Sequence, residues 1–325
     1  MPTIRIRRAA DGADHARSPW RSAWLRFRRD RAGVVSGVIV LAFFAAGVCA
    51  PLFSLLYGKD PYQTYGQDRP ELLDPYGFPV GPMGGASGEF WLGLEPGLGR
   101  DVLTQLLYGI RTSLLIALAV VLIISVIGTL IGVAAGYFGG VADFLAGRVI
   151  DVLLAFPGTL FFITFMPVLT ALLISGDEEV PTAVRVGSII LVLSFFGWTR
   201  NARLLRAQVL SLREREFVAA AKVGGAGHWR IIRRELLPNL WTPILVIATL
   251  DVPAYVTIEA ALSFLGVGII EPTPDLGRMI HRGAQVYSAD IAYMLIPSIA
   301  MLVFVVAFNL LGDSARDALD PKAAR

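Results

Sequence analysis

The sequence predicts an all-α membrane protein with six transmembrane helices, and three observations predict it. Hydrophobic residues make up 55% of the 325-residue chain and charged residues only 17%, against roughly 45–50% and about 25% in soluble domains, and the mean hydropathy is +0.62. Several apolar segments reach or approach the roughly 20 residues needed to cross a hydrocarbon core of about 30 Å. Basic residues are concentrated in some of the connections and acids in others, which is the pattern of a chain threaded through a bilayer.

The first span covers about 33–57 and follows a tail, 1–32, that carries nine arginines. The second covers about 112–137, and the third, about 150–174, is interrupted by Pro157 and Pro167. The fourth runs over about 182–198, the fifth over about 241–265 and the sixth over about 292–311. Prolines at 157, 167, 253 and 297 predict kinks, which a helix packed among neighbours tolerates. Residues 112–325 form the core and 58–111 an outer loop.

Orientation follows the basic residues. The tail and the connection between spans four and five, with Arg200, Arg203, Arg206, Arg213, Arg215, Lys222, Arg230, Arg233 and Arg234, belong inside the cell. The segment 58–111 carries seven acids against four basic residues and 175–185 is acidic, so both face outward. Six spans with both termini cytoplasmic satisfy every connection. The basic tail could be mistaken for the start of a signal peptide, but the apolar run behind it is too long and has no small-x-small cleavage site. Trp20, Trp24 and Phe27, interleaved with arginines, predict an amphipathic segment at the lipid headgroups. The stretch 101–115 has helical apolar spacing and predicts a surface helix leading into span two.

One block interrupts the apolar pattern: 211-SLREREFVAAAKVGGAGHWRIIRRELLPN-239. Ser211 is a capping residue, Glu214 and Glu216 fall in early turns, and Gly224 and Gly225 close a first short helix. A second helix, 227–239, carries Trp229, Ile232 and Leu236 at helical spacing and should stop at Pro238. Together they predict a helical elbow with a small-residue patch at Ala219, Ala220 and Ala221. By composition alone the elbow could also be a connector lying on anionic lipid.

Charged groups inside a span are costly and usually face a cavity or a partner. Asp251 and Glu259 lie eight positions apart on one face of span five, placed either on a translocation path, where they would meet a peptide's amino group, or in contacts between helices. Gly268, Pro272, Pro274 and Gly277 predict a rigid outer turn that touches an extracytoplasmic partner or gates an exit. Cys49, the lone cysteine, reads as a small core residue. His15, His228 and His281 have no metal-ligand spacing, no nucleophile elbow occurs, and the basic residues beside spans need no nucleic acid to explain them.

The elbow resembles the signature of the membrane subunits of ATP-binding-cassette importers, in which a Glu-Ala-Ala triplet is followed by Gly and later by Leu-Pro. Ala220, Ala221, Gly225, Leu237 and Pro238 match, and Ala219 stands where the family usually has Glu. Four further stretches, 93–115, 136–160, 262–280 and 308–321, resemble the second membrane subunit of dipeptide, oligopeptide and nickel importers, while 66–90 has no counterpart and reads as an insertion.

The resemblance implies the type I importer permease fold and a multi-pass protein of the bacterial inner membrane. It implies a homologous permease subunit as partner, two cytoplasmic ATPase subunits and an extracytoplasmic solute-binding protein. In that family the elbow is the coupling helix, so Phe217, Lys222, Gly224, Gly225, Trp229 and Pro238, with the three alanines, become candidate ATPase contacts. The chain has no G-x-x-x-x-G-K-[ST] loop, so no cofactor is expected here, and ATP and magnesium would be bound by the partner ATPases. The expected cargo is di- or oligopeptides, with nickel chelates, glutathione-like peptides and other small solutes as the alternatives. A proton-coupled secondary transporter is the competing reading, weakened by the lack of an internal repeat.

Overall fold

The computed structural model describes residues 19–66, 69, 71–173 and 181–319. Ten helices organise these residues: α1 Pro19–Arg29, α2 Arg31–Tyr57, α3 Val102–Phe138, α4 Gly140–Ala155, α5 Gly158–Leu173, α6 Thr182–Leu212, α7 Glu216–Val223, α8 His228–Phe264, α9 Leu276–Val286 and α10 Ile291–Leu319. No β-strand forms among the described residues, only isolated bridges in the segment between α2 and α3. Five helices, α2, α3, α6, α8 and α10, are long and apolar enough to cross a membrane, and a sixth crossing requires counting α4 and α5 as one.

That pair corrects the expected third span. The chain bends by 82° between α4 and α5, and helix extends back to Gly140 across residues placed in an inner loop by the sequence. Phe156, immediately before Pro157, adopts φ −76°, ψ 132°, the extended conformation to which the proline ring restricts its predecessor. Pro167, Pro253 and Pro297 by contrast lie inside helices that run on through them. The far end of the expected span, at 174, lies outside the described residues, as do His15 and the acidic run 175–180.

The central element is α3, whose 37 residues amount to about 55 Å at 1.5 Å each. The expected surface helix and span two are therefore one uninterrupted helix. Asp101 caps it, its Oδ1 accepting from the Thr104 N–H at 2.7 Å. On one side Ile110, Leu114, Ala117 and Val121 of α3 pack with Val40 of α2, Val256 of α8 and Phe304 and Phe308 of α10. On the other, Ile116, Val120 and Ile124 pack with Phe162 and Met166 of α5 and Ile189 and Val192 of α6.

The approach of α3 to α6 is closest along Gly128, Gly132 and Gly136. A Cβ there would lie 2.8 Å from Asn201 Cβ, 2.7 Å from the Ala202 carbonyl and 2.8 Å from Val209 Cβ respectively. Small residues four apart let two helix backbones meet in a membrane, where packing rather than water exclusion drives association.

Cys49 is exposed on α2, not buried as its size had suggested. In α1, Trp24 is 58% exposed and its ring stacks on Phe27 at 5.9 Å.

Of the five long helices, α3, α6 and α10 run one way and α2 and α8 the other, so the bundle has two ends. One carries the elbow together with the start of α2 and the ends of α3, α6 and α10. The other carries the long loop and α9. At this loop end Tyr57 Oη accepts from the Trp91 N–H at 3.0 Å, and Lys59 pairs with Glu89 at 2.7 Å above the Phe90 ring. Within 66–90, Gly84 comes close to Asp290, just ahead of α10: a Cβ on this glycine would lie 2.8 Å from Asp290 Oδ2.

Candidate functional site: the exposed elbow and the buried polar groups

The elbow differs from its sequence expectation in its boundaries. Ser211 does not cap a helix but lies in the last turn of α6. The first elbow helix, α7, starts at Glu216 behind Arg215, whose side chain makes no capping bond. Gly225 turns the chain with φ +77°, a left-handed conformation that only a residue without Cβ adopts freely. Gly224, at φ −69°, does not need to be glycine for that reason.

The second elbow helix is also longer than expected, because it does not stop at Pro238. It continues as α8 to Phe264 through a π-helical turn at Ile232–Leu236, where the Leu237 N–H donates to the Ile232 carbonyl. Pro238 falls directly after this wide turn, in the first turn of the following α-helical stretch, where a missing N–H is tolerated.

Val218, Ile231, Leu236 and Leu240 are buried against Val133 and Tyr137 of α3 and Leu205 and Val209 of α6. These anchors fix the elbow to two spans. Tyr137 Oη and His228 Nδ1 are hydrogen-bonded at 2.9 Å, and Arg213 Nη1 donates to the Gly136 carbonyl at 3.0 Å. The opposite side is open: Phe217, Ala219, Ala220, Lys222, Gly224, Gly225 and Pro238 are exposed, as are Val223 (90%) and Trp229 (70%). Ala221 is half-buried. The open face thus presents large apolar side chains together with small residues and a lysine.

Asp251 and Glu259 share α8 and are both buried, but their surroundings differ. Glu259 Oε2 accepts from the Ser113 hydroxyl at 2.8 Å and Oε1 from Ser263 at 3.0 Å. Ser113 also lies 3.2 Å from Asp275 Oδ2, and Asp275 Oδ1 caps α9 by accepting from the Arg278 N–H at 2.9 Å. Glu259 therefore joins α3, α8 and α9. The triplet Glu259-Ala260-Ala261 belongs to this loop end, away from the elbow. Asp251 accepts from Asn201 Nδ2 of α6 at 3.0 Å and also lines a cleft that opens toward the elbow end.

The outer turn is packed more tightly than its exposed-contact reading required. Gly268, Pro274 and Gly277 are buried, while Pro272 remains exposed beside Glu271. A Cβ on Gly268 would meet Ser263, and one on Gly277 would meet Ala260, so both glycines mark close backbone approach.

A polar cluster beneath the loop was not found from sequence. Arg100 binds buried Glu95 through two hydrogen bonds and reaches Glu271 at 3.0 Å, Gln105 donates to Glu95 at 2.8 Å, and Arg278 joins Gln105 to Glu271. Burial works to raise the Glu95 carboxyl, but the Arg100 guanidinium outweighs it and holds the group below the usual range. Burial raises Asp101, and the bonds from Thr104 offset this only in part. Arg100–Glu95, Gln105–Glu95 and Arg278–Glu271 are only 5, 10 and 7 residues apart, but the contacts that join the two segments, Arg100–Glu271 and Arg278–Gln105, span 171 and 173 residues and had no local signal.

A bundle of long apolar helices that buries Asp251 and Glu259 and projects an anchored helical elbow from one end is a multi-pass membrane protein. Comparison with known proteins defines the family. Residues 128–325 match the model for the binding-protein-dependent transport system inner membrane component. Residues 18–75 match the N-terminal transmembrane domain of oligopeptide transport permease C. The dipeptide transport system permease protein DppC of Alkalihalophilus pseudofirmus is 34% identical, over 94% of this chain and 90% of its own length. The glutathione transport system permease protein GsiD of Salmonella typhimurium is 36% identical, over 95% and 92%. DppC of Bacillus subtilis is 35% identical, over 93% and 86%.

The chain belongs to the family of inner membrane components of binding-protein-dependent transport systems, as a permease of the dipeptide and oligopeptide C-subunit type. It is a multi-pass inner-membrane protein with the all-α type I permease fold.

Proposed function

We propose that this chain forms, with a homologous permease subunit, the membrane path of an ATP-driven importer of di- and oligopeptides. Its elbow couples that path to two ATPase subunits, and a solute-binding protein delivers cargo at the loop end. The elbow end is cytoplasmic, as are both termini. The observation that carries this reading is the division of the elbow between buried anchors, Val218, Ile231 and Leu236, and an open face that includes Phe217, Ala220, Val223 and Trp229. An elbow lying on lipid would also present apolar groups, but it would not need two hydrogen-bonded ties to the end of α3.

ATP and magnesium are held by the partner subunits, and this chain performs no covalent chemistry. When the two ATPases close on ATP, their movement would carry the elbow, and the helices anchored to it would transmit the displacement into opening of the path. Glu216 is exposed three residues ahead of Ala219 and supplies an acidic side chain next to the position where the family usually has Glu. On the loop side, Ile270, Glu271 and Pro272 are the exposed part of the outer turn and the surface for the binding protein. Peptide cargo is supported by the names of the dipeptide and glutathione permeases that align over nearly the whole chain. Of the two buried acids, Asp251 is on the path, and Glu259 positions α3, α8 and α9.

The test is ATP-driven uptake by the complete assembly in proteoliposomes, with a panel of labelled peptides and nickel chelates. Peptide uptake that requires both ATP and the binding protein is expected. Uptake of chelates alone would replace the cargo, and uptake by the isolated chain driven by a proton gradient would reject the importer.

A further inference from the structure

Between α6, α8 and the end of α10 lies a cleft of about 750 Å³ that runs from mid-span to the elbow end. Its polar lining comprises Arg200, Gln208, Asn239, Asp251 and Arg316, set among aliphatic walls. Arg200 lies near enough to Asp251 to act on its charge, while Arg316 stands apart from both toward the elbow end. Asp251 is 5% exposed at the deep end, whereas Arg316 lies on the last turn of α10 and is exposed.

The deep end is short of donors. Asp251 receives one hydrogen bond, from Asn201, and makes no ion pair among the described residues. Asn201 is 2% exposed, and its Oδ1 has no donor. Asp251 is thus held by one neutral donor, with the Arg200 charge near but not in contact; it is short of donors and of a contacting countercharge, and both shortfalls are expensive inside a membrane. An ammonium group answers both, since it brings three N–H donors and a compensating charge. Arg316, nearer the mouth, offers the opposite complement, because a guanidinium binds a carboxylate through paired N–H groups.

We propose that this cleft holds a peptide by its two charged ends during passage, the α-ammonium at Asp251 and the carboxylate at Arg316. This rests on the peptide-importer reading and adds a recognition position within the membrane subunit. A neutral solute would gain nothing from this arrangement, and a chelate without a free ammonium would leave the deep end unpaired. The aliphatic walls between the charged ends touch side chains without selecting among them.

The experiment uses the complete assembly in proteoliposomes, with a labelled dipeptide delivered by saturating binding protein. Asp251→Asn should lower the kcat of uptake by about tenfold, the effect of losing a charge-assisted hydrogen bond, while the half-saturating concentration of loaded binding protein stays the same. Asp251→Glu should restore much of the rate. Arg316→Gln, at an exposed site where folding is not at stake, should lower kcat by a smaller factor. In parallel, a dipeptide carrying a diazirine on its first residue, photolysed during turnover of the unmodified assembly, should label α8 around Leu250. An unchanged kcat in Asp251→Asn, or labelling confined to other segments, would overturn the proposal. If the unmodified assembly takes up no peptide, the importer reading fails instead, so the two failures are distinct.

Discussion

Tyr137, near the end of α3, and His228, the first residue of α8, are joined by a 2.9 Å hydrogen bond that ties the elbow to the central helix of the bundle. Their rings also meet edge to face, with centroids 5.7 Å apart. A motion imposed on the elbow therefore reaches α3 through a polar contact as well as through the apolar anchors. Tyr137→Phe removes the bond and keeps the ring, so stability should fall by about 0.5–1.5 kcal/mol. Hydrogen exchange at the backbone amides of α7 and the start of α8 should rise, and unchanged protection would show that the bond does not hold the elbow.

Gly225 is constrained by conformation and not by space. Its φ is +77°, and nothing lies within 4 Å of where a Cβ would be. A left-handed conformation costs an ordinary residue about 1–2 kcal/mol, and a β-branched one more. Gly225→Val should abolish ATPase assembly and transport, while Gly225→Asn, which tolerates this region, should retain most of both. Assembly measured by co-purification distinguishes the two variants.

Ala219 is exposed on α7, so Ala219→Glu meets no obstacle within this chain. An exposed ion pair contributes about 0.2–1 kcal/mol, and transport-coupled ATP hydrolysis should accordingly change by less than about fivefold. A collapse of hydrolysis would mean that the partner's surface has adapted to a small side chain.

The cluster beneath the loop should respond to acid in a defined direction. Glu95 is held below its ordinary value of 4.5, so its stabilisation is fully present above that pH and is lost as pH falls through the folded value. Asp101 is raised above 3.8 and has the opposite sign: its contribution is present below its ordinary value and is lost as pH rises through the raised one. Glu95→Gln leaves buried Arg100 with Glu271 as its remaining charge partner and should cost about 3 kcal/mol. It should also flatten the acid dependence of loop-end unfolding below pH 4.5, followed by the fluorescence of Trp91.

Much of the fold was legible because its signals are local. Apolar length located the five long spans, and paired glycines between short amphipathic stretches located the elbow turn. The kink at Pro157 was readable from the proline, but its size, 82°, was hidden because an apolar run looks the same slightly kinked or folded back. Pro238 misled because its cost depends on the turn ahead of it, and the π turn at Ile232–Leu236 has no sequence signature. The glycines at 128, 132 and 136 carried a spacing that could have indicated the α3–α6 contact. The partners of Glu259 and Asp251 could not be read, since Ser113 and Asn201 lie 146 and 50 residues away and only the folded chain brings them together.

In the proposed transporter the open face of the elbow receives an ATPase subunit. The direct measurement is site-specific photo-crosslinking from position 220, on the exposed face of α7, in the assembled transporter in its native membrane. A crosslink to the ATPase that changes in yield when nucleotide is added is expected. Crosslinking to lipid alone, with the ATPases demonstrably present in the same complex, would contradict it.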